Sequence, residues 1–562
     1  MRKLNLPKAN FQAATSSPNE MTTITEPEQK TGIRLPVIGT INEFTLWTPA
    51  WWKRLPGWLR ITIFLVLLVA WSTYKRSAAL SGQYWMDEAI TVGISSHPIT
   101  AIPGILRMDG APPLFYMILH VWMSWFGDSP HATHWLSLIF AELTIPAGYW
   151  AGATIGNKRA GLMTATMFAL IAFLDSYATE TRMYSLMALL GLLATIGFVK
   201  GFAQRRRGYI PLFVVAQALM FYTHAWASFY CAASFVAAVI IWFVSRDEAE
   251  LRKDFIKDVV IAYALAVALF IPWVPNFLFQ SAHTAAPWAP KPRFGVAVQV
   301  SQDVIGNTGL TVLMLAVAVL GYWSIFISPA RRTAAGRSIY SLAVIALLTL
   351  VFAWLASQIT PAWALRYFAP MIGALLLFMA IGMSRAGWLG IIAILAFAWT
   401  MHKFSDFTPS YKSDMQDIGA EMGPYLHRGD LVIVGQPEQV PLAYFYLPGG
   451  LRFSSTIGPV KDPTFVDWVN ALKRYQRSNA TTVLRPLLNA LKPGQQLLFI
   501  RPLTEGNSNW DESWTRLIRR RSAQWGEMIS QDNQLKLERW APHSYRGACC
   551  VADAAYLYKK VD

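Results

Sequence analysis

A chain of 562 residues with 54% hydrophobic and only 15% charged residues is not an ordinary soluble protein, in which the charged share is about 25%. Its positive mean hydropathy and formal net charge of +16 fit a polytopic membrane protein whose cytoplasmic joints collect Lys and Arg. The basic residues are scattered between apolar segments rather than gathered in one stripe, which argues against nucleic acid as a partner. Of the three cysteines, Cys231 lies in an apolar run and Cys549 and Cys550 are adjacent, so no disulfide framework is expected.

Residues 1–45 are polar and rich in Thr, Pro and Glu, and read as a disordered cytoplasmic tail. No short charged-then-apolar leader opens the sequence, so no removable signal peptide is expected. The stretch "WTPAWWKRLPGW" (47–58) mixes tryptophan with Lys and Arg, as an interfacial aromatic belt does. From 46 to 402, apolar runs of near-spanning length recur. Basic joints ("KRLPGWLR", "GNKRA", "QRRRG", "SRDEAELRKD", "ARRTAAGR", "SRAG") alternate with joints rich in aromatics, Pro, His and carboxylates ("MDEAITVG", "LDSYATETRMY", "YTHAW", "QITPAWALRYF"). The positive-inside rule predicts such an alternation.

The apolar segment "PPLFYMILHVWMSWF", Pro112 to Phe126, decides whether the alternation holds. If it crossed the bilayer, "QRRRG" and "ARRTAAGR" would face outward. It is short and carries His120, so it reads as a re-entrant or interfacial helix with Pro112 and Pro113 at its start. The count is then about eleven spanning helices with the N-terminus inside. Lys75 and Arg76, at the outer end of the first span, are the main violation. Asp87, Glu88, Asp109, His120, Asp175, Glu180, Arg182, His224 and Arg366 all fall on outward joints or helix ends. Ionisable groups beside hydrocarbon are costly, so their gathering on one face predicts a single polar cavity at the outer leaflet.

From 403 to 562 polar residues return. "LVIVG", "QLLFI", "DNQLKLERW" and "AYLYKKV" read as strands, and "KDPTFVDWVNALKRYQ" and "WDESWTRLIRRRSAQWGEM" as helices. This predicts an α/β domain of about 150 residues, outside the cytoplasm by the odd helix count, acting as a lid or an acceptor-docking module.

Asp87 and Glu88 in "QYWMDEAITVG" could cap an interfacial helix, but a cap needs one carboxylate and not two. The functional reading is a general base with a neighbour that holds substrate or metal. Arg182 and Arg366 each begin a span; snorkelling competes with recognition of a lipid-linked phosphate by a planar guanidinium. His224, in "FYTHAWASFY", is a satisfied structural histidine, a substrate contact or a metal ligand, and His120 reads as structural. Asp109 precedes Gly, Ala and two prolines, where a turn role competes. Asp175 could coordinate a metal or cap a turn.

In this order, "WMDEA", "DGAPPLFYMILHVW", "ETRMYSL", "YTHAW", "LRYFAP" and the tail opening "YKSDMQDIGAEM" resemble the GT-C glycosyltransferases. The likeness is to the bacterial branch related to protein O-mannosyltransferases and aminoarabinose transferases. It implies a polytopic α-helical enzyme that takes a sugar from a polyprenyl-phosphate carrier and inverts the anomeric carbon. By this resemblance Asp87 is the base and Glu88 its partner, and Arg182 and Arg366 hold the donor phosphate. Asp109, Tyr184, His224 and Tyr367 are candidate substrate contacts. The first loop lacks the Asp-x-Asp spacing of metal-dependent relatives, and "DGAPP" has Ala where many relatives have His. No cofactor is therefore assigned, and a single divalent ion, if used, would draw on Glu88, Asp175 and His224. The implied setting is the bacterial inner membrane, amid its lipids, with mannose, arabinose or a similar sugar going to a glycan, glycolipid or protein hydroxyl. The rival readings are a lipid-linked sugar polymerase or ligase, and a transporter, although no internal repeat of broken helices supports the last.

Overall fold

The structure is a computed structural model that describes residues 54–245, 252, 254–284, 286–404, 411–504, 511–545 and 552–561. The expected N-terminal tail, most of the "SRDEAELRKD" joint and the Cys549–Cys550 pair lie outside the described residues.

Among the described residues eight helices are long and apolar enough to cross a membrane: Gly57–Ser77, Pro130–Ile155, Tyr184–Ala203, Ala227–Val244, Phe255–His283, Thr308–Phe326, Ala334–Ile359 and Leu365–Arg385. The protein is thus a multi-pass α-helical membrane protein, as the composition requires. Three shorter helices pack among them: Lys158–Leu170, Ile210–Thr223 and Trp388–Phe404. They fall where the sequence analysis expects the remaining spans, but at 13, 14 and 17 residues they are short for a span, so among the described residues eight helices rather than about eleven are long and apolar enough to cross a membrane. Lys158–Leu170 stops where Ile171 turns extended, at φ −69° and ψ 139°. Ile210–Thr223 starts after a 3₁₀ turn with Pro211 in its first turn, and ends where His224 turns extended. Leu114–Phe126 is a 13-residue helix that follows Pro113 and stops at Gly127, whose φ is 82°. At 1.5 Å per residue it is about 20 Å long, short of a hydrocarbon core of about 30 Å.

Arg76 is only 1% exposed and is neutralised inside the bundle, not left at a loop. Its Nη1 donates to Glu142 (2.9 Å), its Nε to Asp175 (3.0 Å) and its Nη2 to the carbonyls of Phe168 and Ala169. The departure from positive-inside is thereby resolved for this residue, because its charge is compensated where it stands.

The C-terminal segment carries a six-stranded sheet in the order β3-β2-β1-β4-β6-β5. The strands are β1 Leu431–Val434, β2 Arg452–Ser455, β3 Gly458–Val460, β4 Gln496–Leu503, β5 Leu535–Ala541 and β6 Ala552–Lys560. β1 runs parallel to β2 and β4, and the remaining pairs are antiparallel. All four expected strands form, and β2 and β3 add to them. The expected helix over 461–476 does not form as a whole: only Ala471–Arg477 is helical. Pro463 and the left-handed Asn470 (φ 50°) open its first half into a loop.

That loop lies on the segment that follows the first membrane helix. A Cβ at Gly93 would stand 2.0 Å from the Thr464 carbonyl oxygen, so only glycine permits the approach. Trp468 N donates to Met108 O (3.0 Å), Asn470 N to His283 O (2.9 Å) and Tyr84 N to the Tyr446 hydroxyl (3.0 Å). Residues 47–562 accordingly form one compact unit.

Candidate active site

The helix Met86–Ser95 begins after Trp85, whose backbone is extended. Both carboxylates lie in its first turn, where the helix dipole favours negative charge. Their environments then diverge. Glu88 is fully buried and caps the helix, accepting from Trp85 N at 3.2 Å. Its other donors are Thr181 N (2.8 Å), His134 Nε2 (2.7 Å) and Lys412 Nζ (2.8 Å). Burial pushes the Glu88 carboxyl up, but Lys412 and His134 outweigh it and hold it down at about 2. Asp87 points the other way, into a cavity of about 690 Å³.

Asp109, Arg182, His224, Arg366 and Tyr367 line the same cavity with Asp87. Arg366 Nη2 stands 3.5 Å from Asp87 Oδ2, and its guanidinium is ringed by Trp85, Trp288 and Tyr367 at 5.4–5.6 Å from the ring centres. Arg182 Nη1 donates to Thr91 Oγ1 (2.6 Å), the Asp87 carbonyl (3.3 Å) and the Tyr116 hydroxyl (3.3 Å). In both arginines the buried Nε–H has no protein acceptor among the described residues. Tyr184 is buried behind the wall, with Arg182 5.7 Å from its ring centre.

Asp109 ends the helix Ile102–Asp109, where Gly110 turns left-handed at φ 105° and leaves no room for a Cβ against Thr284 Oγ1. Burial, with Asp87 nearby, pushes the Asp109 carboxyl up to about 7 against the pull of Arg182. His224 closes Ile210–Thr223; burial, then Arg182 and Arg366, push its imidazole down to about 3. Its Nδ1 accepts from Trp226 N at 3.1 Å, so the neutral ring carries its proton on Nε2.

The three residues considered for a metal are not brought together. Asp175 pairs with Arg76, Glu88 is enclosed by its four donors, and His224 stands apart in the cavity. Among the described residues no group of three or more His, Cys, Asp or Glu side chains converges. These side chains do not make the oxygen- and nitrogen-rich cage a divalent ion requires. His120 hydrogen-bonds the Ser95 carbonyl at 2.8 Å.

Several participants were given no individual role from the sequence. His134 and Lys412 hold Glu88, and Glu180 accepts from Trp85 Nε1 at 2.7 Å. Burial and the neighbouring Glu88 push Glu180 up to about 7, so Glu88 holds the charge of the two and Glu180 the proton in mildly acidic solution. Glu180 was grouped with the outward ionisable residues and stands two residues before Arg182 in "ETRMYSL", and Lys412 lies in the quoted "YKSDMQDIGAEM"; His134 had no signal. From the C-terminal segment, Gln436, Glu438, Trp468, Asp511, Glu512 and Thr515 complete the cavity wall. Glu438 is held by Trp514 Nε1 (3.1 and 3.2 Å) and Gln436 Nε2 (2.9 Å), and burial pushes it up to about 6.

No family model matches the sequence, and no curated protein matches it. Solved structures do. ArnT from Cupriavidus metallidurans in the apo state superposes with a TM-score of 0.58 at 14% identity, over 88% of this chain and 98% of that one. The same protein bound to undecaprenyl phosphate gives 0.57 at 13% identity with the same coverage. The archaeal oligosaccharyltransferase AglB from Archaeoglobus fulgidus, in complex with an inhibitory peptide and a dolichol-phosphate, gives 0.52 at 10%, over 80% of this chain and 70% of that one. The chain shares the overall fold of these structures. At these identities the likeness is one of architecture. Within this fold the segment around Asp87, the joint before Tyr184 and the joint at Arg366 meet at one cavity.

Proposed function

We propose that the protein is a membrane glycosyltransferase that moves a sugar from a polyprenyl-phosphate carrier to a hydroxyl acceptor with inversion. The observation that carries this reading is the pairing of Asp87 with Arg366 at 3.5 Å across a cavity that Arg182 also lines. A carboxylate and two guanidinium groups with unused N–H donors fit the two ends of such a reaction. The carrier phosphate displaces Asp87 as the partner of Arg366, and the sugar lies between them. The acceptor hydroxyl gives its proton to Asp87 as its oxygen bonds the anomeric carbon. The bond from that carbon to the phosphate oxygen breaks, and the phosphate leaves with the electron pair. Arg182 and Arg366 stabilise the charge it gains. His224, with its proton on Nε2, offers a donor to a sugar hydroxyl. The wall formed by Glu438, Asp511, Glu512 and Trp468 faces the acceptor, and no step needs a metal.

The ArnT structure with undecaprenyl phosphate and the AglB structure with dolichol-phosphate support a polyprenyl phosphate as the carrier. In this reading residues 46–402 are the membrane catalytic domain and 403–562 an extracytoplasmic domain. The N-terminus is cytoplasmic and the cavity opens at the outer face of a bacterial inner membrane. Cysteines placed at Arg206 and Arg477, both exposed, are expected to react with impermeant reagent from opposite sides. Labelling of both from one side refutes the orientation. The function is tested with purified protein and a panel of polyprenyl-phosphate mannose, arabinose and related donors, with and without chelator. Transfer that persists with chelator and vanishes in Asp87→Asn is expected; full-rate turnover by Asp87→Asn refutes the assignment.

A further inference from the structure

The C-terminal segment touches the site in a second way, away from the cavity wall. Lys412 reaches two segments at once: its Nζ donates to Glu88 Oε2 (2.8 Å) and to the carbonyl of Thr179 (3.3 Å). Glu88 is the neighbour of Asp87 on the helix Met86–Ser95, and Thr179 lies three residues before Arg182. The same two segments are joined by Glu88 Oε1 to Thr181 N (2.8 Å), Trp85 Nε1 to Glu180 Oε1 (2.7 Å) and Arg182 Nη1 to Thr91 Oγ1 (2.6 Å). Lys412 is itself anchored. Two residues on, Asp414 is fully buried and accepts from the backbone N of Asp553 on β6 (3.2 Å). A short stretch of chain thus runs from the sheet to the seam between the segment bearing Asp87 and the segment bearing Arg182.

We propose that Lys412 is a positioning residue through which the C-terminal segment fixes the distance and angle between Asp87 and Arg182. It touches neither the cavity nor a substrate and acts through Glu88 and the Thr179 carbonyl. The proposal deepens the glycosyltransferase reading and rests on it for its effect on turnover. Base and phosphate-binding arginine must be held together for the reaction, and an error of about 1 Å in such a placement costs up to about 100-fold. Without the ammonium, Glu88 keeps Trp85 N, Thr181 N and His134. The seam therefore loosens rather than unfolds.

The experiment compares full-length wild type, Lys412→Met and Lys412→Arg by sugar transfer and by amide hydrogen exchange. Lys412→Met is expected to lower kcat about 10- to 100-fold while leaving the donor KM within about 3-fold. Lys412→Arg, which restores the charge and its donors, is expected to recover most of that loss. In Lys412→Met the amides of residues 85–89 and 179–182 are expected to exchange faster, with those of β1, β4 and β6 unchanged. Equal kcat in wild type and Lys412→Met overturns the proposal, as does a loss that Lys412→Arg does not recover. If the wild type transfers no sugar from any polyprenyl-phosphate donor, the glycosyltransferase reading fails and exchange alone decides. Wild-type exchange rates in both segments of Lys412→Met then overturn the positioning role, and faster exchange confined to them supports it.

Discussion

Arg76 and Arg366 are both arginines in membrane helices facing carboxylates, and they are held very differently. Around Arg76 every nitrogen that can donate is engaged, by Glu142, Asp175 and two backbone carbonyls at 2.9–3.3 Å. Arg366 has a loose 3.5 Å approach to Asp87, aromatic rings on its flanks and an Nε–H with no protein acceptor among the described residues. The first cluster spends its charge on itself and holds the helices Gly57–Ser77 and Pro130–Ile155 to the short helix Ala172–Tyr177 that carries Asp175. The second leaves valence unspent toward a cavity. Asp87 and Glu88 repeat the contrast one residue apart: Glu88 is enclosed by four donors, while Asp87 faces open space. Residue type does not separate enclosed charge from open charge here; the partners around Arg76 and Glu88, against those around Arg366 and Asp87, do.

The largest effect expected from that contrast is on Asp87. Asp87→Asn should lower kcat by about 10²- to 10⁴-fold, the range for a lost general base, with undecaprenyl phosphate still bound. A variant that lost lipid binding instead would move Asp87 into the structural class. Next, Arg76→Met leaves the buried Glu142 and the half-buried Asp175 without their cation, and breaking a buried pair costs about 3–5 kcal/mol. Its apparent Tm in detergent should fall sharply, while the KM of the surviving folded protein is unchanged. A normal Tm would mean that the Arg76 cluster carries no load. Third, Arg366→Ala should weaken undecaprenyl phosphate binding about 10- to 100-fold, the worth of a hydrogen bond to a charged group, with little change in Tm. The intrinsic fluorescence of Trp85 and Trp288, which line the cavity, offers a readout.

The smallest effect concerns Asp109, whose pKa burial raises to about 7 from the ordinary carboxylate range. A raised carboxyl pKa favours the protonated folded state. Its contribution is therefore fully present at low pH and is lost as pH rises from about 4 to about 7. Asp109→Asn removes that loss, so the Tm difference between variant and wild type should move in the variant's favour between pH 5 and pH 8. A difference that is flat with pH would show that Asp109 is well solvated or better paired than its surroundings suggest.

Much of the architecture was legible in the sequence because membranes impose simple rules. Apolar length marked most of the spans, and alternating joint charge grouped Asp87, Glu88, Asp109, His120, Asp175, Glu180, Arg182, His224 and Arg366 on one side. Asp87, Asp109, Arg182, His224 and Arg366 line the cavity, whereas Glu88, His120, Asp175 and Glu180 are engaged by protein partners outside its lining. Strands such as "LVIVG" and "QLLFI" were legible because buried strands are continuous apolar runs. Short β2 and β3 were not, and Pro463 with Asn470 broke a predicted helix into the loop that packs on the segment after Gly57–Ser77. The sequence by itself determined which residues could not be spared a polar surrounding, since hydrocarbon tolerates no bare charge. Only the tertiary structure decided how each was compensated. Whether Glu88 meets Lys412 from 324 positions away, or Asp175 meets Arg76 rather than a metal, depends on which helices become neighbours, and no local pattern encodes that.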